Sequence, residues 1–247
     1  MTPPKISVLI PAYNEEQLIG EVIDAVHQSF AALPSRRYEI VVCDNNSTDS
    51  TAQIALSKGA RVVFEPHNQI ARARNTAAKN AQGNWLIFLD ADTFLSSALL
   101  KNTLDALDSG RVCGGGSVLV LNRESIGFFA WAIVKTWNRI SALCSLAAGS
   151  YLFCWREAWL ETGGFNEEFY AGEEIFFSKK LKQWARKRGL QFKVLTQNPI
   201  VTSARKMEWY GQWALIGTML RMAWPGSIQH REKCDLWYTR PKLRTRK

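Results

Sequence analysis

Trp85-Leu86-Ile87-Phe88-Leu89 is five apolar residues in a row, and it stops on two carboxylates in Asp90-Ala91-Asp92. A short apolar run with polar bounds reads as a strand covered on both faces. Two earlier runs have the same form. Ile6-Ser7-Val8-Leu9-Ile10 ends at Pro11, and Glu39-Ile40-Val41-Val42-Cys43 ends at Asp44. Arg61 to Phe64 adds a shorter strand. Helical patterns fill the gaps. One starts at Asn14-Glu15-Glu16 and carries Leu18, Ile19, Val22, Ile23 and Val26 inward; one opens at Ser47-Thr48-Asp49-Ser50-Thr51; one runs from Ile70 to Asn80 and is ended by Gly83. Strands alternating with helices predict βαβ units and a mostly parallel α/β sheet flanked by helices. Ligands bind such sheets outside the carboxyl ends of the strands. Tyr13, Asp44 and Asp90, distant in sequence, are therefore predicted to meet at one rim.

The second half is less regular. A strand is expected at Val118 to Leu121, after Gly114-Gly115-Gly116. Amphipathic helices are expected from Ser125 to Ala148 and from Ile175 to Arg188. A last apolar stripe, Trp209, Trp213, Ile216, Leu220 and Trp224, ends at Pro225-Gly226.

Composition sets the class. Of 247 residues, 47% are hydrophobic and 21% charged, a globular balance. With no linker or repeat, one domain over residues 1–200 is expected, followed by a basic, Trp-rich extension over 201–247, packed on the domain or on a membrane surface. The net charge is +9. Residues 201 to 247 hold ten Lys/Arg against three acids, so most of that surplus is C-terminal. Such an end suits an anionic partner, although a solvated tail has the same composition. Trp209, Trp213, Trp224 and Trp237 beside basic residues suit a membrane surface, and equally a helix packed on the core. Five cysteines without metal-ligand spacing fit free thiols in a reducing compartment. No signal peptide or membrane-spanning stretch is expected. A cytoplasmic location follows, with the inner face of the membrane as the site of any peripheral contact.

The candidate chemistry lies at the strand ends. Asp90 and Asp92 can bind a hard divalent cation whose remaining ligands are water and phosphate. The plain structural alternative is a strand-end pair capping a helix that follows at Thr93. Asp44 can accept from a base edge, while Ser47 and Asp49 also suit turns and caps. Arg72 and Arg74 suit phosphate or base recognition, and their spacing turns them apart, so one of the two is expected at the site. Glu173 and Glu174 open a helix, where they suit its dipole and equally a general base. Arg205, in Thr202-Ser203-Ala204-Arg205-Lys206, suits a contact to a diphosphate or the edge of the basic tail.

Taken in order, these stretches form a recognisable pattern. Ser7 to Glu16 resembles the opening strand and loop of the family 2 inverting glycosyltransferases. Asp44 to Asp49 resembles their second-strand motif, with Asn45 and Asn46 in place of the usual Asp and Gly. Ala73-Arg74-Asn75-Thr76 with Ala81-Gln82-Gly83, Leu89-Asp90-Ala91-Asp92, and Gly163-Gly164-Phe165 with Gly172-Glu173-Glu174 resemble the later motifs. The resemblance spans roughly residues 5 to 190. It implies a Rossmann-like sheet of the glycosyltransferase A type, with a C-terminal amphipathic helical extension. It implies a nucleotide site at Pro11, Ala12, Tyr13, Glu15, Asp44, Asn46, Arg74, Asp90 and Ala91. It implies Mn²⁺ or Mg²⁺ at Asp92 and Asp90, and a base at Glu174, which stands where the family has Asp, with Glu173 as the rival. The expected reaction is inverting transfer from a nucleotide sugar, UDP-linked by preference, to a hydroxyl acceptor such as a lipid-linked glycan precursor. The alternatives are a nucleotide-sugar-binding protein without turnover, a nucleotidyltransferase, which lacks its Gly-rich phosphate loop here, and a basic nucleic-acid-binding protein, which leaves the acidic rim unexplained.

Overall fold

The computed structural model describes residues 5–122, 128–205, 217, 226–234 and 238. Strand β1 (Ile6–Ala12), helix α1 (Ile19–Ala31), strand β2 (Tyr38–Asp44), helix α2 (Thr51–Ser57), strand β3 (Arg61–Phe64), helix α3 (Ile70–Asn80) and strand β4 (Trp85–Leu89) form the expected alternation. Strand β5 (Thr93–Phe94), helix α4 (Ser97–Asp108), strand β6 (Val112–Leu121), helix α5 (Phe128–Cys144), strand β7 (Tyr151–Trp155), helices α6 (Arg156–Thr162) and α7 (Glu173–Lys187) and strand β8 (Gln191–Thr202) follow. Among the described residues the sheet order is β3-β2-β1-β4-β7-β6-β8-β5.

The first four strands are parallel, so their carboxyl ends share one edge. Beyond β4 the sheet is mixed: β7 runs antiparallel to β4 and β6, and β8 runs parallel to β6. The core is split by the pleat, because successive side chains point to opposite faces. Ile6, Val8, Ile10, Ile87 and Leu89 pack with α1 and α4 on one face. Leu9, Leu86 and Phe88 pack with α3 and α7 on the other. Helix α3 presents Ala71, Ala73, Ala77 and Ala78 to that face, all fully buried, so its backbone lies close to the sheet.

Several boundaries differ from the sequence reading. Helix α1 begins at Ile19, not at Asn14, because Asn14 takes a left-handed φ of 52° and its side chain is used across the rim. The triple glycine lies inside β6 rather than before it. A Cβ on Gly115 would lie 1.9 Å from the Lys193 carbonyl oxygen, so the sheet closes there only on a glycine. Helix α5 ends at Cys144 rather than Ala148, with Ser145 at a positive φ of 49°. Strands β5, β7 and β8 and helix α6 had no place in the sequence reading, and the helix it allowed at Thr93 begins only at Ser97, because Thr93 and Phe94 pair with β8 instead. The tryptophan stripe from Trp209 to Trp224, and Trp237, lie outside the described residues. All five cysteines are free. Among the described residues no helix is long and apolar enough to cross a membrane.

Candidate active site

The carboxyl ends of β1 and β2 are laced together. Asn14 N–H donates to Ser47 Oγ at 3.0 Å, and Asn14 Oδ1 accepts from Thr48 N–H at 2.8 Å. Glu16 N–H donates to Asp49 Oδ2 at 3.2 Å, while Ser50 N–H donates to Glu16 Oε2 at 3.1 Å. Asp49 also accepts from Thr51 N–H at 3.0 Å. Ser47 and Asp49 thus shape the loop, as their capping chemistry allows.

Pro11 and Ala12 end β1, and Asp44 ends β2 directly opposite Ala12. Asp44 is 8% exposed and accepts from Ser47 N–H at 3.0 Å, a local turn made by an aspartate. Asn45 is buried and structural: its side chain donates to the carbonyls of Glu65 and His67 and accepts from Gln69 N–H at 2.8 Å. Asn46 has a φ of 67°. Asparagine tolerates that left-handed region better than most residues, so it can stand where glycine is usual.

Arg74 is the hub. It is 3% exposed. Its Nη1 donates to Glu173 Oε1 at 2.7 Å, and its Nη2 donates to Asp90 Oδ1 at 2.9 Å and to the Gly149 carbonyl at 2.7 Å. Helix α3, β4, α7 and the loop before β7 therefore meet on one guanidinium, whose planar fork suits several acceptors at once. Arg72 turns away, donating to Gln69 Oε1 and pairing with Glu167. Burial alone would lower the Arg74 pKa, but the charges of Asp90, Glu173 and Glu174 outweigh it and raise it.

The adjacent glutamates at the start of α7 separate in role. Glu173 is buried and bound to Arg74; burial pushes its carboxyl up while Arg74 pulls against that. Glu174 is half-buried, and its carboxyl carbon lies 3.3 Å from where a Cβ on Gly149 would stand. Burial first, and then the neighbouring Glu173 charge, push the Glu174 carboxyl up to about 8.

Asp90 and Asp92 occupy a turn closed by Thr93 N–H donating to the Asp90 carbonyl at 3.1 Å. Asp92 is 6% exposed, and its carbonyl accepts from Ser203 N–H at 2.9 Å, where β8 passes β5. Ala91, between them, is buried. Among the described residues no three His, Cys, Asp or Glu gather as a metal cage. Two carboxylates nevertheless fit a hard cation that draws its other ligands from a diphosphate and water. Arg205 forms a largely buried ion pair with Glu15, in the loop after β1. Tyr13 is half-exposed beside them.

Sequence reasoning missed two contributors. Gly149 joins Arg74 to Glu174, and no local pattern marks it. Tyr238 donates to the Tyr170 carbonyl at 2.8 Å and packs with Ala171 and Cys234, bracing the loop that leads into Glu173.

Comparison with known proteins agrees with this geometry. The profile of glycosyl transferase family 2 matches residues 7–129. A Campylobacter jejuni GalNAc(5)-diNAcBac-PP-undecaprenol beta-1,3-glucosyltransferase is 25% identical over 218 residues, covering 82% of this chain and 69% of its own. Several other curated glycosyltransferases are 31–38% identical over 106–112 residues, and this chain spans 16–43% of their length. Among solved structures, the mannosyltransferase PcManGT of Pyrobaculum calidifontis, in complex with GDP-Man and Mn²⁺, superposes with a TM-score of 0.66 at 20% identity, covering 94% of this chain and 70% of that one. Staphylococcus aureus TarS 1-349 in complex with UDP-GlcNAc gives 0.61 at 22% identity, covering 81% and 59%. Residues 7–129 are thus similar in sequence to glycosyl transferase family 2, and the βαβ edge and acidic rim agree with that similarity.

Proposed function

We propose that the chain transfers a sugar from a nucleoside diphosphate, UDP by preference, to a hydroxyl acceptor with inversion at the anomeric carbon. The observation that carries this is Arg74 holding both Asp90 of the rim turn and Glu173 of the acceptor-side helix, with the Glu174 carboxyl beside them.

The opening loop (Pro11, Ala12, Tyr13 and Glu15) with Asp44 and Asn46 takes the nucleoside. Asp90 and Asp92 would hold Mn²⁺ or Mg²⁺, which when bound would neutralise charge developing on the diphosphate. Glu174 takes the proton of the acceptor hydroxyl as that oxygen bonds to the anomeric carbon. The bond from that carbon to the diphosphate oxygen breaks, and the nucleoside diphosphate leaves with the bonding pair. Attack and departure on opposite faces invert the centre. A carboxyl with a raised pKa suits this proton transfer. Glu173, engaged by Arg74, ranks behind it. Arg205 trades Glu15 for the diphosphate when the donor binds.

A lipid-linked acceptor is favoured, by analogy with the Campylobacter relative named for an undecaprenol diphosphate substrate. The GDP-Man complex of the mannosyltransferase keeps a guanosine carrier as the second candidate. Thermal shift with UDP, GDP and dTDP, each with and without Mn²⁺, tests the reading. Metal-dependent stabilisation by one nucleotide supports it and names the carrier. No stabilisation by any of them removes it.

A further inference from the structure

Helices α5 and α7 and strand β8 enclose a groove of about 980 Å³. Its charged lining residues are Lys179, Lys182, Arg186 and Lys193, with no acid among them. Elsewhere on the surface Lys58 pairs with Asp24, Lys101 with Asp105 and Arg188 with Glu161. Among the described residues, none of the four lining cations has an acidic partner. Lys182 donates to the Cys144 carbonyl and Lys179 lies over the Phe176 ring, so both stand in defined places. The end of α5 borders the groove through Ala142 in its last turn and Ser145 just beyond it. That same turn presents Leu143 at 85% and Ile140 at 43% exposure, three residues apart and so on one face of the helix.

We propose that this face docks on an anionic lipid bilayer. Unpaired cations attract the headgroups, and the exposed aliphatic residues enter the interface. The aliphatic residues decide between partners: a soluble polyanion would use the lysines and leave Leu143 idle. Distance agrees with a role in catalysis. Lys179 to Arg186 lie five to twelve residues beyond Glu174 on α7, or roughly 8 to 18 Å along the helix axis at its rise per residue. A lipid-linked acceptor held at the bilayer would then present its sugar near Glu174. This last step rests on the proposed transferase reading; the docking does not.

Flotation of the full chain with phosphatidylcholine vesicles, with and without phosphatidylglycerol, tests the docking without any turnover. The full chain should float with the anionic vesicles at low salt and be released at high salt. Lys179→Gln with Arg186→Gln should weaken partitioning roughly thirty-fold, the loss expected for two interfacial cations. Leu143→Asp should also cut the bound fraction, with melting temperatures unchanged in both variants. Three results overturn the proposal: no flotation of the full chain, unaltered flotation of both variants, or loss in the charge variant alone with displacement by soluble polyphosphate. The last would assign the groove to a soluble polyanion.

Discussion

Arg74 and Glu173, 99 positions apart in sequence, meet in a 2.7 Å ion pair whose side chains are each 4% exposed. The pair fastens α3 to the first turn of α7 and so fixes where Glu174 stands. Removing one partner of a buried pair leaves the other charge uncompensated, which typically costs about 3–5 kcal/mol. Arg74→Met should therefore destabilise the fold by about that amount and abolish transfer. Arg74→Lys should recover part of the stability, because one ammonium cannot hold Glu173, Asp90 and the Gly149 carbonyl in a planar fork. Denaturant unfolding of the two variants checks this, and equal losses would argue against the fork.

Glu174 gives the pH dependence. Its carboxyl is raised to about 8 in the folded chain. Transfer by Glu174 as base should climb as pH rises towards and through that value, and this limb should vanish in Glu174→Gln. Stability runs the other way. Between the unfolded carboxyl value of about 4.3 and the folded value, the folded state binds more protons than the unfolded state, so stability falls as pH rises. Melting temperatures across that window should decline more steeply in the parent chain than in Glu174→Gln.

Asp92 tests the metal. Asp92→Asn keeps a similar volume but removes a hard anionic ligand. It should abolish the Mn²⁺-dependent part of nucleotide stabilisation and reduce transfer at least a hundredfold, within the range expected when charge stabilisation at a leaving group is lost. Calorimetric titration of nucleotide with and without metal measures it. Near-parent behaviour would take the residue out of that role.

Gly115 tests the closure of the mixed half of the sheet. A Cβ there would overlap the Lys193 carbonyl oxygen at 1.9 Å, and backbone cannot step aside as a flexible side chain does. Gly115→Ala should cost at least about 3 kcal/mol, at the upper end for overpacking. Gly59→Ala serves as the contrast, because its Cβ would meet nothing within 4 Å and only its positive φ of 81° resists.

The chain by itself determined the first half of this molecule and the identity of its rim acids. Runs such as Ile6–Ile10 and Trp85–Leu89 declare their burial locally, and a parallel βαβ order brings Ala12, Asp44 and Asp90 to one edge without further information. The antiparallel seat of β7, the long β8 and the short β5 depended on pairing between distant segments, such as Thr93 with Thr202, for which no local pattern exists. The division between the two adjacent glutamates was likewise tertiary. Both residues look alike at a helix start, and about 100° of helical rotation per residue separates them. Only the position of Arg74, brought in by a different helix, turns Glu173 into its partner and leaves Glu174 beside Gly149.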